Sequence, residues 1–525
     1  MRFTSIWHIN PKNLEKYQIK EIFYFLKKIY RRIDKFLSAK VHLFTCMNRK
    51  GTSIVITFFL IISLSSLSFI PKFGLIVSAT IYVDDVPGSG PNNPPEDYTS
   101  IQAAIDAAGS GGIVYIYSGY YDQTFVIGQP ITLRGEDYRN TIIKSTSSFP
   151  TGWISWANPV YIEELTIIGA PTSWSIESSA IQIMRDSQVI IKKCHLRGND
   201  GEGGGLGFGI AIDDMGNSVS IINSSIYGGN NGVTEQFYIR VFSSSALLLN
   251  STHGNGTMVE SGGSLTIKWY LHVRVIDNIG NPIENANVIV NDTFVTNVFN
   301  GYTDSNGYVR WIICKERVIP GSNYNPYEIF ASKGIEIVAF TVNMYKSQEI
   351  WLLLDDLTFP LYSGWNMISI PIIHSNTKID YVLSSISTEY DCAWCYDRAT
   401  DAWYDSNLDF NYINHEMAFW IHMKRDAIFT AMDRRVPVST DIDLYKGWNC
   451  VGYPSLINKN ITEALSSIDG QYIAIQHYNR TDINDPWKHY HRDKPSIYND
   501  LILMSKGQGF WIYVNQNCTW TIKGA

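Results

Sequence analysis

A ten-residue pattern recurs in the first half of the chain and constrains the fold more than any other feature. It reads VYIEELTIIG from Val160, VIIKKCHLRG from Val189 and VSIINSSIYG from Val219, about 30 residues apart, and ALLLNST from Ala246 echoes it. Each copy is a short alternating strand, a polar kink, a second strand and a glycine. One copy cannot bury its apolar side, whereas stacked copies bury a continuous column. We therefore predict stacked parallel strands over residues 80–268.

The segment before these copies carries a family resemblance. IYVDD from Ile81, YTSIQAAIDAAG from Tyr98, IVYIYSGYY from Ile113 and ITLRGE from Ile131 resemble the opening of right-handed parallel β-helix proteins of the pectin lyase-like and periplasmic copper-processing-like families. The resemblance implies that the SIQAAI segment is a short helix capping the open end of the column. An apolar helical face agrees with that role, and it consists of Ile101, Ala104, Ile105 and Ala108.

Residues 269–356 change character. LHVRVID from Leu271 alternates as a strand, and the Gly-x-Pro and Thr-Asp-x-x-Gly turns that follow resemble the carboxypeptidase regulatory-like β-sandwich. That module has no catalytic residues of its own, so the resemblance implies a spacer.

The last part of the chain is a tandem repeat, with units at residues 357–442 and 443–525. LYSGWNMISIP from Leu361 recurs as LYKGWNCVGYP from Leu444, and AFWIH from Ala418 recurs as GFWIY from Gly509. These landmarks resemble the Gly-Trp-Asn β-modules of archaeal and bacterial surface proteins. The predicted fold class is therefore all-β and multidomain: a right-handed parallel β-helix, a β-sandwich and two repeated small β-modules.

The N-terminal part predicts export. Residues 47–79 contain a basic start, an apolar run at residues 52–70 and the small-residue pattern Val77-Ser78-Ala79, as in a secretory signal peptide. The alternative is that residues 52–70 remain as a membrane anchor, which would be the chain's one membrane contact. Residues 1–46 are a basic extension, and translation from Met47 would leave them out. Both alternatives predict an extracellular, secreted or cell-surface body.

Charge and sequons fit that location. The formal net charge of −7 includes +10 from residues 1–79, so residues 80–525 carry −17, which argues against a nucleic-acid partner. All the Asn-x-Ser/Thr sequons follow the apolar run and are candidate glycosylation sites. They are Asn223, Asn250, Asn255, Asn291, Asn460, Asn479 and Asn517.

Few residues suggest chemistry. Asp213 and Asp214 are the candidate catalytic pair of a polysaccharide-active enzyme, although a polar corner between coils explains them as well. Cys392 and Cys395 lack a second ligand pair. His477, His489 and His491 could bind a metal, but their spacing is weak evidence and positions in surface loops explain them as well, so we predict no metal and no cofactor. Cys450 and Cys518 lie in the first and last strands of one module and are candidates for a disulfide.

Aromatic residues are the stronger indication of function, because flat rings stack on sugars. Trp365, Trp448, Trp420 and Trp511 recur at equivalent places, which favours core packing. The residues beside turns are predicted to be exposed and to bind a ligand: Trp403, Tyr404, Trp487 and Tyr490.

The sequence thus predicts an exported, non-catalytic surface or secreted protein with a binding, adhesion or envelope-structural role. Its predicted partner is a polysaccharide or an envelope glycoprotein. The alternative is a lyase, hydrolase or esterase of the pectin lyase-like fold.

Overall fold

The computed structural model describes residues 40–41, 60–61, 80–85, 98–146, 150–170, 178–199, 207–228, 237–254 and 256–524. Lys40–Val41 and Leu60–Ile61 pair antiparallel within the unit Met1–Ile76. Everything described below belongs to the second unit, Val77–Ala525. The predicted signal or anchor segment lies outside the described residues apart from residues 60–61. Within the described ranges, no helix is both long and apolar enough to cross a membrane.

Three parallel sheets, named A, B and C, form the first part of the second unit, and the chain visits them in turn. Sheet A begins with Thr80–Val83, Gly112–Ile116, Ile131–Gly135, Val160–Glu163, Gln188–Lys192, Ser218–Ile222, Ser245–Leu249 and Ser264–Ile276. Sheet B contains Gly119–Tyr121, Thr141–Lys144, Thr166–Ile168, His195–Arg197, Ser225–Tyr227 and Thr252–His253. Sheet C contains Phe125–Ile127, Gly152–Ser155, Ser178–Met184, Gly207–Ile212, Phe237–Phe242 and Gly256–Glu260.

The register of sheet A matches the repeat seen in the sequence. Val160 pairs with Val189, Val189 with Val219, and Val219 with Ala246. Because side chains alternate along a strand, this register places every second residue in the interior. One interior column is fully buried and consists of Val114, Leu133, Ile162, Ile191, Ile221, Leu248 and Ile267.

The helix Ile101–Ala108 covers the start of the stack. Its N-cap residue Ser100 accepts a hydrogen bond from the backbone of Ala103. Ile101, Ala104 and Ile105 are buried, as the apolar face in the sequence predicted. The helix thereby shields the first interior residues of the column from water.

Polar side chains line the corner between sheets C and A. Asn217 is 2% exposed, and its Oδ1 accepts a hydrogen bond from the Ser187 backbone at 2.9 Å. Its Nδ2 donates to the Ser244 hydroxyl at 3.1 Å and to the Asp213 carbonyl. These bonds satisfy backbone groups that the turn would otherwise bury without partners.

The strand Ser264–Ile276 joins the parallel stack to the next layer without interruption. Residues 264–268 pair with Ser245–Leu249, and residues 271–276 pair in parallel with Gln348–Leu353. The antiparallel strand Tyr308–Ile319 covers the opposite edge. The predicted boundary between residues 268 and 269 therefore lies inside a strand.

A four-stranded antiparallel sheet packs on this extension. Its strands, in spatial order, are Asn297–Tyr302, Asn287–Asn291, Tyr327–Lys333 and Glu336–Val342. Val288, Ile329 and Val338 belong to the same hydrophobic core as the parallel stack. Core packing is thus continuous from the stack into this layer.

Two repeats with the same topology complete the chain. Repeat 1 (residues 358–430) and repeat 2 (residues 439–523) each contain a four-stranded antiparallel sheet, with its own hydrophobic core. In spatial order the strands are Gly364–Ser369, Ala418–Met423, Tyr390–Asp397 and Ala402–Asp405, and then Gly447–Gly452, Gly509–Val514, Tyr472–Tyr478 and Trp487–His491.

Shorter elements complete each repeat. The strand pairs are Thr358–Leu361 with Ala427–Thr430, Ser439–Leu444 with Cys518–Lys523, and Lys459–Asn460 with Leu503–Met504. Arg435–Val436, between the repeats, pairs with Gln348–Leu353. The helical turns are Ile379–Val382, Ser384–Ile386, Ile461–Ala464, Ser466–Ile468 and Ser496–Tyr498. The predicted boundary between residues 442 and 443 lies inside Ser439–Leu444.

Candidate functional site: the interface between the two repeats

The two repeats contact each other through equivalent residues. Ile368 of repeat 1 forms a β-bridge with Gln508 of repeat 2, and Met417 of repeat 1 forms one with Val451 of repeat 2. Counted from the shared Gly-Trp-Asn and Phe-Trp-Ile landmarks, Ile368 corresponds to Val451 and Met417 corresponds to Gln508. Each bridge is therefore the counterpart of the other, as in an isologous interface.

Two arginines repeat this reciprocity. Arg398 Nη2 donates to the Lys446 carbonyl at 2.8 Å, and Arg480 Nε donates to the Ser363 carbonyl at 2.9 Å. Each arginine is the third residue of a Tyr-Asp/Asn-Arg segment, and each acceptor directly precedes a Gly-Trp-Asn motif. The repeats are thus related by a local twofold pseudosymmetry.

Aromatic clusters lie on both sides of this pseudosymmetric interface. Trp420 of repeat 1 lies 5.1 Å from Tyr478 and 5.8 Å from Trp487 of repeat 2, measured between ring centroids. These distances are typical of aromatic pairs that stabilise interfaces. Trp487, predicted to be exposed, is half-buried here.

The counterpart cluster surrounds Trp511. Its ring lies 5.2 Å from Tyr396 and 5.9 Å from Trp403 of repeat 1. Trp403 is 46% exposed, as predicted, so one part of its ring contacts the interface and the rest is in solvent. Tyr404 and Tyr490 are half-buried and pack on the cores of repeats 1 and 2.

The sequence favoured core positions for the four recurring tryptophans, but the structure places them elsewhere. Trp420 and Trp511 pack between the repeats, beside a small buried cluster that includes Cys450. Trp365 is 39% exposed, and Trp448 is half-buried. A strand pattern shows which residues share a face but not that a second repeat covers it.

A cleft of about 400 Å³ opens between the repeats next to this cluster. Two exposed tyrosines, Tyr412 of repeat 1 and Tyr445 of repeat 2, contribute rings to its lining. We name it the inter-repeat cleft. Tyr396 belongs both to the cleft and to the cluster around Trp511, which includes Trp403, so the two features form one continuous surface.

The inter-repeat cleft has an acidic lining, formed by Asp397, Asp409, Glu416 and Asp443. Burial and the nearby Asp443 raise the pKa of Glu416 above its usual range. The cleft's arginine, Arg398, is engaged by Asp401 at 3.0 Å and by the Lys446 carbonyl. The cleft therefore favours uncharged ligands over anionic ones.

The pseudoequivalent place on the other side of the interface is filled differently. Gly507 replaces Glu416, and Phe359 and Pro360 replace Ile442 and Asp443. A Cβ on Gly507 would lie 3.2 Å from the Phe359 ring, so this ring occupies the space. The acidic cleft is thus specific to one side of an otherwise pseudosymmetric interface.

Asp213 and Asp214 are distant in sequence from the two repeats. They lie at the corner between sheets C and A and have separate partners. Asp213 Oδ2 accepts from Gln182 Nε2 at 2.9 Å and from Arg240 Nη2 at 2.8 Å. Asp214 has a φ of 63°, and its carboxylate lies 3.9 Å from Arg185 Nε. Each carboxylate is directed to its own cation, an arrangement typical of a polar corner.

The cysteines of the described residues are free thiols. Cys450 is buried at the interface and Cys518 packs on the core of repeat 2, so the structure does not contain the predicted bridge between them. Burial raises the pKa of the Cys395 thiol to about 12, while Cys392 is half-buried on the opposite strand face. A protonated, buried thiol is a poor nucleophile and a poor metal ligand.

The three candidate histidines of repeat 2 differ in burial and do not form a metal-binding group. His477 is buried, and its Nδ1 lies 2.9 Å from the Gly509 carbonyl. Burial lowers its pKa to about 4. His489 is exposed and His491 half-buried. Over the part of the chain that the structure describes, no group of three His, Cys, Asp or Glu side chains is placed to bind a metal ion.

The sequons lie at accessible places where they are described. Asn223, Asn460 and Asn517 are exposed, and Asn250, Asn291 and Asn479 are half-buried. Asn255 lies outside the described residues. Asn250 Nδ2 donates to Asn223 Oδ1 at 2.8 Å, so these two amides stack at successive turns.

No protein-family model and no curated protein matches the chain. Among solved structures, the Bacillus anthracis TIE protein matches with a TM-score of 0.13 and 7% identity, over 49% of this chain and 44% of that one. Geobacillus virus E2 ORF18 matches with a TM-score of 0.17 and 12% identity, over 46% of this chain and 67% of that one. The Streptococcal ancillary pilin matches with a TM-score of 0.12 and 8% identity, over 48% of this chain and 66% of that one. This chain thus spans less than half of the first structure, and the TM-scores are too low to indicate a shared fold or function.

Proposed function

We propose that this chain is an exported, non-catalytic cell-surface or secreted protein that binds uncharged glycans at the inter-repeat cleft and Trp403. One observation carries the proposal: an open cleft between two modules, bordered by exposed tyrosine rings and continuous with a half-exposed tryptophan. Flat aromatic surfaces stack on the apolar faces of sugar rings, and carboxylates and amides accept and donate hydrogen bonds to hydroxyl groups.

The fold assignment is part of the proposal. Sheets A, B and C, visited in turn and capped by a helix, support a right-handed parallel β-helix of the pectin lyase-like type. The layer between residues 264 and 353 supports a carboxypeptidase regulatory-like sandwich, and the two repeats support Gly-Trp-Asn β-modules. In this arrangement the β-helix and sandwich act as a stalk, and the repeats present the binding surface.

Location follows from the sequence. A signal or anchor at residues 47–79 would place the body outside the cell, and glycans at the exposed Asn223, Asn460 and Asn517 would suit that environment. An envelope polysaccharide or a glycoprotein is then the accessible partner.

Titration calorimetry with neutral oligosaccharides tests the proposal on the full chain, purified in mild detergent. We expect saturable binding that Trp403→Ala weakens about three- to tenfold, the range that one stacking ring contributes. Trp156→Ala is the matched control, because Trp156 is 63% exposed on the parallel stack. Thermal midpoints of both variants show whether the fold persists.

The same samples are assayed for new reducing ends and unsaturated products. Binding without product formation supports the proposal. Product formation that Asp213→Asn abolishes would support the polysaccharide-active alternative instead. Equal binding by the wild type and Trp403→Ala would contradict the assignment of the binding site to Trp403.

A further inference from the structure

A second aromatic surface lies on the outer face of the strand pair 264–276 and 308–319, away from the repeats in sequence. Trp311 is 65% exposed, and its ring contacts Tyr270 and His272 edge to face, with centroid distances of 5.1 and 4.8 Å. The Trp311 backbone N–H donates to His272 Nδ1 at 3.2 Å. Two neighbours thus fix the orientation of the ring while most of it remains in solvent.

The backbone at Trp311 is held in an unusual conformation. Its φ is 62°, in the left-handed region that bulky side chains rarely adopt. The pairing register shifts between Leu271 and Val273, where the extra residue of a bulge directs the side chain outward. Such strain costs free energy and persists where the surrounding structure enforces it, often at binding sites.

Two arginines lie beside the ring of Tyr308, which belongs to the same strand as Trp311. Arg310 is exposed, and its guanidinium lies 3.7 Å from the centroid of the Tyr308 ring. Arg274 lies 4.5 Å from the centroid of Trp351 and 5.2 Å from that of Tyr308. Aromatic contacts hold both guanidinium groups in place without neutralising their charge.

One carboxylate belongs to this cluster and is already engaged. Glu349 Oε1 accepts hydrogen bonds from the Tyr308 hydroxyl at 2.8 Å and from Trp351 Nε1. Two arginines against one carboxylate leave a local positive charge on a body that is otherwise strongly negative. This is the opposite of the inter-repeat cleft, where carboxylates dominate.

We propose that the surface formed by Tyr270, His272, Arg310 and Trp311 binds acidic glycans. A sugar ring stacks on Trp311, and the carboxylate of the same or the next sugar pairs with Arg310. Arg310 can form paired, charge-assisted hydrogen bonds to a carboxylate, whereas a neutral sugar offers only uncharged acceptors. The site is separate from the one proposed between the repeats and does not depend on it.

A matched ligand pair tests the proposal on the full chain. Oligogalacturonate carries the ring and the carboxylate, whereas its fully methyl-esterified form carries the ring alone. We expect oligogalacturonate to bind at least about tenfold more tightly than the ester in low salt, the value of one charge-assisted contact, and to lose most of that advantage at high ionic strength. The ester is an uncharged glycan that the inter-repeat cleft would also bind, so the binding counted for this surface is the part that Trp311→Ala removes. Equal binding of acid and ester at this surface, or no binding of the acid, would overturn the proposal.

Variants assign the binding to this surface. Trp311→Ala should weaken oligogalacturonate binding about tenfold, Trp311→Phe should restore most of it, and Arg310→Gln should remove the preference for the acid over the ester. Trp403→Ala should leave oligogalacturonate binding unchanged, which separates this site from the inter-repeat cleft. Wild-type affinity in Trp311→Ala, with an unchanged thermal midpoint, would contradict the assignment.

Discussion

Trp420 and Trp511 occupy the same position in the two repeats, and each packs on aromatic residues of the other repeat rather than on its own core. Trp420 contacts Tyr478, and Trp511 contacts Tyr396, at nearly equal centroid distances of 5.1 and 5.2 Å. The two contacts are counterparts under the local pseudosymmetry. Interface stability should therefore be shared between them.

Removing either ring should destabilise the repeat pair to a similar extent. We expect Trp420→Ala and Trp511→Ala each to lower the free energy of unfolding of the repeats by about 2 kcal/mol, less than for a fully buried tryptophan because both are half-buried. Calorimetric unfolding of the full chain measures the effect. Trp156→Ala, outside the interface, should leave the transition unchanged, and a large loss in only one of the two variants would contradict a reciprocal interface.

Gly509 of repeat 2 lies so close to repeat 1 that a larger side chain there should destabilise the interface. A Cβ on Gly509 would lie 2.7 Å from the Ala418 Cβ and 2.9 Å from the Ile368 carbonyl oxygen. We expect Gly509→Ala to cost about 1–3 kcal/mol through overpacking. Ala418→Gly in the same chain removes the nearer of these two atoms, so it should restore part of the loss, while the contact with the Ile368 carbonyl oxygen remains. Thermal midpoints of the single and double variants check this, and the absence of rescue would place the strain elsewhere.

The sequence predicted the elements that depend on alternation and repeats. The copies beginning at Val160, Val189 and Val219 pair in register, and the helical face with Ile101 and Ile105 is buried. Both follow from local periodicity, which the sequence displays directly.

What the sequence did not predict depends on contacts between elements. Trp420 and Trp511 were assigned to cores, because alternation marks a strand face as covered without showing what covers it. The boundary at residue 268 divides a strand whose alternation continues from Leu265 to Val275, a signal that could have revealed the continuity. Trp311 and the inter-repeat cleft were missed, since a bulge and a module interface leave no short motif.

Stability of the parallel stack should depend on one buried amide. Asn217→Ala removes the acceptor of the Ser187 N–H and leaves that buried donor without its partner. We expect a loss of about 2–3 kcal/mol, the cost of an unsatisfied buried polar group together with the lost hydrogen bonds. Ser218→Ala, at the exposed neighbouring residue, is the control and should change stability by less than about 0.5 kcal/mol. Chemical denaturation monitored by circular dichroism measures both, and equal effects would show that Asn217 has no special role.

Burial of His477 predicts a pH dependence of the repeats. The pKa of His477 falls from 6.5 to about 4 on folding, because the ring is buried against Phe510. The unfolded chain therefore binds this proton more readily, so stability is fully present above pH 6.5 and is lost as the pH falls toward 4. Between pH 7.5 and 5 the loss from this group is about 2 kcal/mol.

The variant His477→Gln isolates that contribution. Glutamine does not titrate and can still donate a hydrogen bond to the Gly509 carbonyl, which accepts from His477 in the wild type. We expect the variant to lose about 2 kcal/mol less stability than the wild type when urea denaturation is repeated at pH 7.5 and pH 5. The difference between the two proteins cancels the contribution of His415, whose pKa burial also lowers to about 4. Parallel pH profiles would mean that His477 is protonated equally readily in the folded and unfolded chains, and would contradict its burial as a neutral ring.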